Sequence, residues 1–307
     1  MRKHKVHFLI TVILCFLMHT IKVFGQPKIS LSFDDGMIID RPGYVLTEWN
    51  ELLLNKLKEN HVQSILFVAG YNKLDERGKY VIQSWNDNGH LIANHTMNHP
   101  NYNSEKWTSE RFMGEFLSND SLISRYSNYT KLFRFPYLKE GNNPEKIKSF
   151  RTFMKDMGYR NGHVTIDASD WYIDQRLVAR LKKEPKADLT DFRDFYLEHI
   201  WDRAQFYEKL SYELNNRHIK HTLLLHHNLA AALFINDLIQ MFKDKGWVIV
   251  SAKEAYADPI YAETPDYAGE SLIYALAKDS GKYKDVLRYP AEDSRYEKER
   301  MKVLGLE

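Results

Sequence analysis

The chain has one cysteine, Cys15, in 307 residues. It therefore forms no disulfide with itself and offers neither a thiolate cage for a structural metal nor, once its first residues are removed, a thiol nucleophile. It also lacks an apolar run of the ~20 residues that a membrane-spanning helix needs. The run from Phe8 to Met18 falls short, and Lys22 interrupts its extension. Charge of one sign is missing as well: 43 Lys/Arg stand against 41 Asp/Glu, which leaves no basic footprint for nucleic acid. There is no internal repeat and no low-complexity linker. What is present is a chain 44% apolar and 13% aromatic. That is enough to build a core without covalent staples, with rings left over to line surfaces or grooves.

Arg2, Lys3 and Lys5 precede the apolar run, and Val23 and Gly25 supply small residues at cleavage positions. This pattern predicts a secretory signal peptide over residues 1–25, with Gln26 as the mature start. Leu14 before Cys15 argues against lipid attachment. Four of the 43 basic residues and none of the 41 acidic ones lie in that segment, so the remainder is net −2. The expected destination is outside the cytoplasm, periplasmic or secreted, with no stable membrane span after cleavage.

From residue 26 onward, apolar runs and helical periodicities alternate. Strands are expected at Ile29–Phe33, Val62–Val68, His90–Ala93, Lys131–Phe135, His163–Ile166, Thr222–Leu225 and Trp247–Val250, with helices between most of them. Such alternation predicts an α/β fold with a parallel sheet. Two stretches fit it poorly. Residues 173–218 are long, charged and helical in pattern, and residues 257–307 form a charged, Tyr-rich tail; both look like additions to a core spanning residues 26–256.

Chemistry-bearing residues recur at the strand ends. The first strand stops at Asp34-Asp35-Gly36, where adjacent carboxylates point different ways and can do separate work. An Asp-Gly turn is the commoner meaning of such a pair. The third strand runs into His95-Thr96-Met97-Asn98-His99, two imidazoles four apart that can face one point from a helical turn. With a strand-end aspartate they make a His, His, Asp set that leaves positions open for water and substrate. Arg134, then Asp167, Asp170 and Trp171, then His226 and His227 follow successive strands. Each alone reads more simply as a surface charge, a helix cap or an ordinary core histidine. In an α/β barrel, however, all these ends converge on one face.

In order and spacing, five segments resemble the motifs of the polysaccharide deacetylases, the NodB-homology enzymes of carbohydrate esterase family four. They are Ser32-Phe33-Asp34-Asp35-Gly36, His95 to His99, Arg134-Phe135-Pro136-Tyr137, Asp167 to Trp171, and Leu223-Leu224-Leu225-His226. The resemblance spans roughly residues 28–255. It implies a distorted (β/α) barrel of about seven parallel strands, here with a helical insertion and a C-terminal extension. It also implies metal-dependent removal of acetyl groups from N-acetylated or O-acetylated carbohydrate, with Zn²⁺ the first choice and Co²⁺ or another divalent ion open. Carried over by position, Asp34 is the general base, and Asp35, His95 and His99 are metal ligands. His226 is the general acid. Arg134 orients Asp34, Asp170 tunes His226, the Tyr137 N–H holds the oxyanion and Trp171 lines the groove. The chain departs from the family where His227 replaces an Asp, adding a second titrating group, and where the insertion and tail are expected to wall the cleft. Two rival readings are a hydrolase of the same fold acting on a small-molecule amide or imide, and a non-catalytic carbohydrate-binding protein.

Overall fold

The computed structural model describes residues 25–71, 73–283 and 293–307. The expected signal peptide lies outside them, apart from Gly25. Among the described residues no helix is long and apolar enough to cross a membrane.

Seven parallel strands form one curled sheet: β1 (Lys28–Asp35), β2 (Ile65–Val68), β3 (Leu91–Asn94), β4 (Tyr129–Phe133), β5 (Arg160–Asn161), β6 (Lys220–His226) and β7 (Val248–Ile249). Their order is β5-β4-β3-β2-β1-β6, with β7 joined to the start of β1. Parallel neighbours need crossovers. These are supplied by α1 (Leu46–Glu59), α2 (Glu76–Asp87), α3 (Ser109–Ile123), α4 (Pro144–Asp156), α5 (Asp170–Lys183), α6 (Thr190–Asn215) and α7 (Leu229–Asp244). The short α8 (Ala252–Ala255) follows β7, and α9 (Leu272–Ser280) and α10 (Arg295–Val303) form the tail. The result is a half-barrel with helices outside: the parallel α/β sheet that the strand–helix alternation predicts, curled into the distorted barrel that the resemblance implies.

Helix placement follows from apolar spacing and end chemistry. In α1, Trp49, Leu53, Leu54 and Leu57 fall on one face and are buried against the sheet. Asp75 starts α2 by accepting the Gly78 N–H at 2.7 Å, and Asn228 starts α7 by accepting that of Ala231 at 2.8 Å. Each such cap is worth about 1 kcal/mol. A second core, of Tyr102, Phe112, Phe116, Phe133, Phe135 and Phe150, fills the space between α3, α4 and β4.

The structure departs from the expected strand at His163–Ile166. Only Ile166 bridges to β6, through Leu223. The N–H groups of Thr165 and Ile166 both turn to the Thr222 carbonyl, at 3.1 and 3.0 Å, so no regular ladder continues. The ladder instead uses Arg160 and Asn161, which pair with β4. Gly162 sits between, where a Cβ would lie 2.4 Å from the Phe67 ring; the backbone passes close only because no side chain is there.

The 173–218 stretch is occupied by most of α5 and all of α6, and the tail lies over α6. Phe192, Phe195, Tyr196, His199, Ile200, Arg203, Ala204 and Tyr207 recur at three- and four-residue steps along the buried face of α6. One polar pair, His199 and Arg203, thus rides on an otherwise aromatic and aliphatic stripe.

Candidate active site

Register brings the central groups together. In the β1–β6 ladder Asp34 lies opposite His226, and on the other edge of β1 Asp35 lies opposite Val68. Adjacent strands are about 4.8 Å apart, so the two ends deliver a carboxylate and an imidazole to one spot. Asp35 carries φ 77°, and this left-handed turn of the chain carries β1 into Gly36.

Asp34 is 3% exposed. Its Oδ1 accepts from Arg134 Nη1. The guanidinium is itself fully buried and fully engaged: Nε donates to the Gly162 carbonyl at 2.9 Å, and Nη2 to Ser32 Oγ at 3.0 Å and to the Tyr256 hydroxyl at 2.9 Å. Its flat face lies over the Phe67 ring at 3.8 Å. Burial raises the Asp34 pKa to about 6, and the opposing Arg134 charge only partly offsets it. Such a carboxylate is a usable proton acceptor near neutrality.

Asp35, His95 and His99 each present one ligand atom, all within 4.8 Å of one another. His99 Nε2 is 3.5 Å and His95 Nε2 3.8 Å from Asp35 Oδ1. The tautomer of His95 follows from its other nitrogen: Nδ1–H donates to the Arg134 carbonyl at 2.8 Å, which leaves the Nε2 lone pair facing the carboxylates. Burial lowers both imidazoles to about 4, keeping them neutral and able to ligate. For Asp35, burial acts upward but is outweighed by the positive charge that His99, His226 and His95 carry when protonated, and its pKa is lowered. Asp35 Oδ1 is buried without a hydrogen-bond partner. An orphaned carboxylate oxygen between two neutral imidazoles fits a divalent cation of the zinc type. The two histidines do not share a helical turn. They sit on the loop after β3, where Thr96 (φ 70°) and His99 (φ 52°) bend the chain so that both rings reach the same point. Asn94 holds that bend, accepting the Thr96 N–H at 2.9 Å.

At the end of β6, His226 Nδ1–H donates to Asp170 Oδ1 at 2.7 Å, and the His226 N–H donates to Oδ2 at 2.8 Å. Asn228 also reaches Oδ2, at 3.0 Å. Burial alone would depress the imidazole. The charge and hydrogen bond of Asp170, helped by Asp35 and Asp34, push it up to about 10. His226 is therefore held protonated, with Nε2 left free of the Asp170 bond. The cleft around these groups is about 270 Å³, and Tyr137, Leu138, Trp171 and Leu224 line it with Asp34, Asp35, His95, His99 and His226. Tyr137 has φ 56° in the turn Pro136–Leu138, and its ring meets that of His99 at 4.5 Å.

The nine residues to which the resemblance gives roles thus converge on one face, in the cleft or directly behind it. Two expectations fail. His227 does not face the cleft: it is buried, donates from Nε2 to Asn50 Oδ1 at 3.0 Å and packs on Trp49, because consecutive residues leave a strand on opposite sides. Burial lowers it to about 3. Nor does any described residue of the insertion, 173–218, or of the tail line the cleft. The tail touches cleft loops from outside: the Glu270 N–H donates to the Leu138 carbonyl at 2.9 Å and the Leu272 N–H to that of Val164 at 2.8 Å. Sequence reasoning missed Ser32, Tyr256 and Asn228, which hold Arg134 and Asp170. Ser32 lies inside a quoted motif, but a small polar residue in a buried strand was its only signal.

Fold and cleft together define a distorted (β/α) barrel that gathers carboxylates and imidazoles at the C-terminal ends of its strands. Residues 22–162 match the family model of the polysaccharide deacetylases. A curated relative, the peptidoglycan-N-acetylglucosamine deacetylase of Bacillus cereus, is 26% identical over 132 residues, covering 43% of this chain and 44% of that protein. The chain thus aligns with under half the length of that relative. Among solved structures, the Bc1960 peptidoglycan N-acetylglucosamine deacetylase superposes with a TM-score of 0.51 at 19% identity, covering 76% of this chain and 91% of the other. A mutant of BA3943, a CE4 family pseudoenzyme of Bacillus anthracis, with restored enzymatic activity, superposes at 0.52 and 16% identity, covering 75% and 68%. At these identities the two structures speak for the fold.

Proposed function

We propose that the protein is an exported, metal-dependent hydrolase that removes acetyl groups from N-acetylated or O-acetylated carbohydrate. The observation that carries this reading is the close set of Asp35, His95 and His99 beside a buried carboxylate of raised pKa and a carboxylate-bound imidazole. The sequence match to the polysaccharide deacetylases supports the substrate class. Asp35, His95 and His99 would hold a divalent ion, Zn²⁺ by the donor set, supplying a Lewis acid and an acidified water. Asp34 takes the proton from the attacking water, with Arg134 fixing which carboxylate oxygen is free. The Tyr137 N–H donates to the oxygen that gains charge in the tetrahedral intermediate. His226, held protonated by Asp170, delivers its Nε2 proton to the departing nitrogen or oxygen. Trp171 and Tyr137 offer ring faces to the sugar.

The test is acetate release from a panel of acetylated glycans by the protein as isolated, after chelation, and after Zn²⁺ is restored. We expect release that chelation abolishes and Zn²⁺ restores, and about one Zn²⁺ bound per chain that His99→Ala no longer retains. No release from a folded, metal-loaded protein would sink the reading and favour the small-molecule amide. The carboxylate and imidazole also predict a bell-shaped pH dependence of kcat/KM. Activity rises as Asp34 deprotonates and falls as His226 deprotonates, at or below about 10 because a neighbouring dication disfavours the imidazolium. The lower limb lies at or below about 6, since a neighbouring dication favours the ionised Asp34. A rate that falls as pH rises from 5 to 8 would contradict these roles.

A further inference from the structure

The loop that carries Asp170 is anchored from behind by groups that belong to the insertion and the tail. The Ser169 N–H, immediately before Asp170, donates to His199 Nε2 of α6 at 2.9 Å. An Nε2 that accepts leaves the His199 proton on Nδ1, and Nδ1 faces Glu297 Oε1 of α10 at 3.4 Å. The same Glu297 oxygen accepts from Arg203 Nη2 at 2.9 Å. The charge of Arg203 also feels Asp167, which lines the cleft at the other end of this loop. Ser169, His199, Arg203 and Glu297 are all 5% exposed or less. Polar groups this deep in an aromatic stripe cost stability unless they are paired, so the geometry of each constrains the next.

We propose that Glu297, acting through His199 and Arg203, is a positioning residue for the general acid: it fixes the His199 tautomer that holds the Ser169 N–H, and thereby the Asp170 carboxylate that orients His226. The proposal rests on the reading of His226 as proton donor to the leaving group. In it, the tail and insertion serve the reaction as a brace rather than as cleft walls. None of the three side chains touches substrate. Their effect is confined to the step that needs a proton delivered, because the Asp34 side of the site is held independently by Arg134, Ser32 and Tyr256.

That confinement makes the idea testable. An N-acetylated sugar leaves as an amine and must be protonated, whereas 4-nitrophenyl acetate leaves as a weakly basic phenolate and needs no acid. In Glu297→Gln, kcat on an N-acetylated oligosaccharide should fall about tenfold or more with KM little changed, in line with the sensitivity of catalysis to sub-ångström misplacement. Hydrolysis of 4-nitrophenyl acetate should stay within about twofold. A parallel fall on both substrates, or no fall on either, would overturn the proposal in favour of a structural role. If Glu297→Gln does not fold, His199→Gln, whose side-chain oxygen can still accept the Ser169 N–H, is expected to retain more activity than His199→Phe; equal losses would count against it. A readout that needs no turnover is the ¹⁵N spectrum of His199, expected to show the Nδ1–H form in the full-length protein. An Nε2–H form there would refute the brace whatever the enzyme does. Absence of activity in the unaltered protein, with Nδ1–H present, would instead fault the functional reading.

Discussion

Asp34→Asn is expected to lower turnover of an acetylated sugar by about 10²–10⁴-fold, the usual worth of a positioned proton acceptor, without lowering stability. Asparagine keeps an oxygen in place for Arg134 but cannot take a proton from water. The stability half follows from the raised pKa. Burial shifts the carboxyl from 3.8 to about 6, so between those pH values the folded protein binds more protons than the unfolded chain. Stability due to this group therefore falls as pH rises through that window. Above it, the ionised carboxylate costs the metal-free protein up to about 3 kcal/mol. The neutral amide escapes that cost, so metal-free Asp34→Asn should melt at or above the unaltered protein at pH 7. Below about pH 4, where both side chains are neutral, the difference should vanish. An inactive variant that also melts well below the parent at pH 7 would mean that Asp34 is ionised for structural reasons, and the base assignment would lose its support.

How far such a site is legible in a sequence depends on how the fold uses each residue. Asp34, Asp35, Arg134 and His226 could be seen because parallel strands deliver their C-terminal ends to one face, and the period of the apolar runs tells where each strand stops. His95 and His99 could be paired by spacing, yet the reason they converge is not helical geometry. It is two left-handed residues, Thr96 and His99, in a loop that propensity does not describe. The strand expected at His163–Ile166 has the right residues and fails because Thr165 and Ile166 share a single carbonyl partner. His227 misled because its neighbour is a site residue, and alternation along a strand places the next side chain in the core. The brace of His199, Arg203 and Glu297 is built from residues far apart in the chain. Only the polar interruption of the α6 stripe hinted at it, and no local pattern names the partner on α10. What sequence carries well is the repeated, local rule; what it hides is the long-range pairing of single polar groups.

Arg134→Met tests the opposite side of the same pairing. The guanidinium satisfies Asp34, Ser32, Tyr256 and the Gly162 carbonyl from a position with no solvent access. Methionine fills much of the volume and lies as readily over Phe67, but it leaves a buried carboxylate with no counter-charge. Removing one partner of such a pair costs about 3–5 kcal/mol. The Arg134 charge is also the strongest influence holding the Asp34 pKa down against burial. Without it the carboxyl titrates higher, so the acidic limb of the activity profile should move up and the base be largely protonated at neutral pH. We therefore expect a lower melting temperature at pH 7, activity that recovers in part as pH is raised, and a stability defect that shrinks on acidification, because protonating Asp34 removes the unpaired charge. Combining the two changes separates this account from simple loss of packing. In Asp34→Asn/Arg134→Met neither charge remains, so the double variant should be more stable at pH 7 than Arg134→Met alone, a coupling that a double-mutant cycle reads directly. If the two changes destabilise additively, the cost lies in the hydrogen bonds to Ser32, Tyr256 and Gly162, and Arg134 serves the strand ends rather than the charge of Asp34.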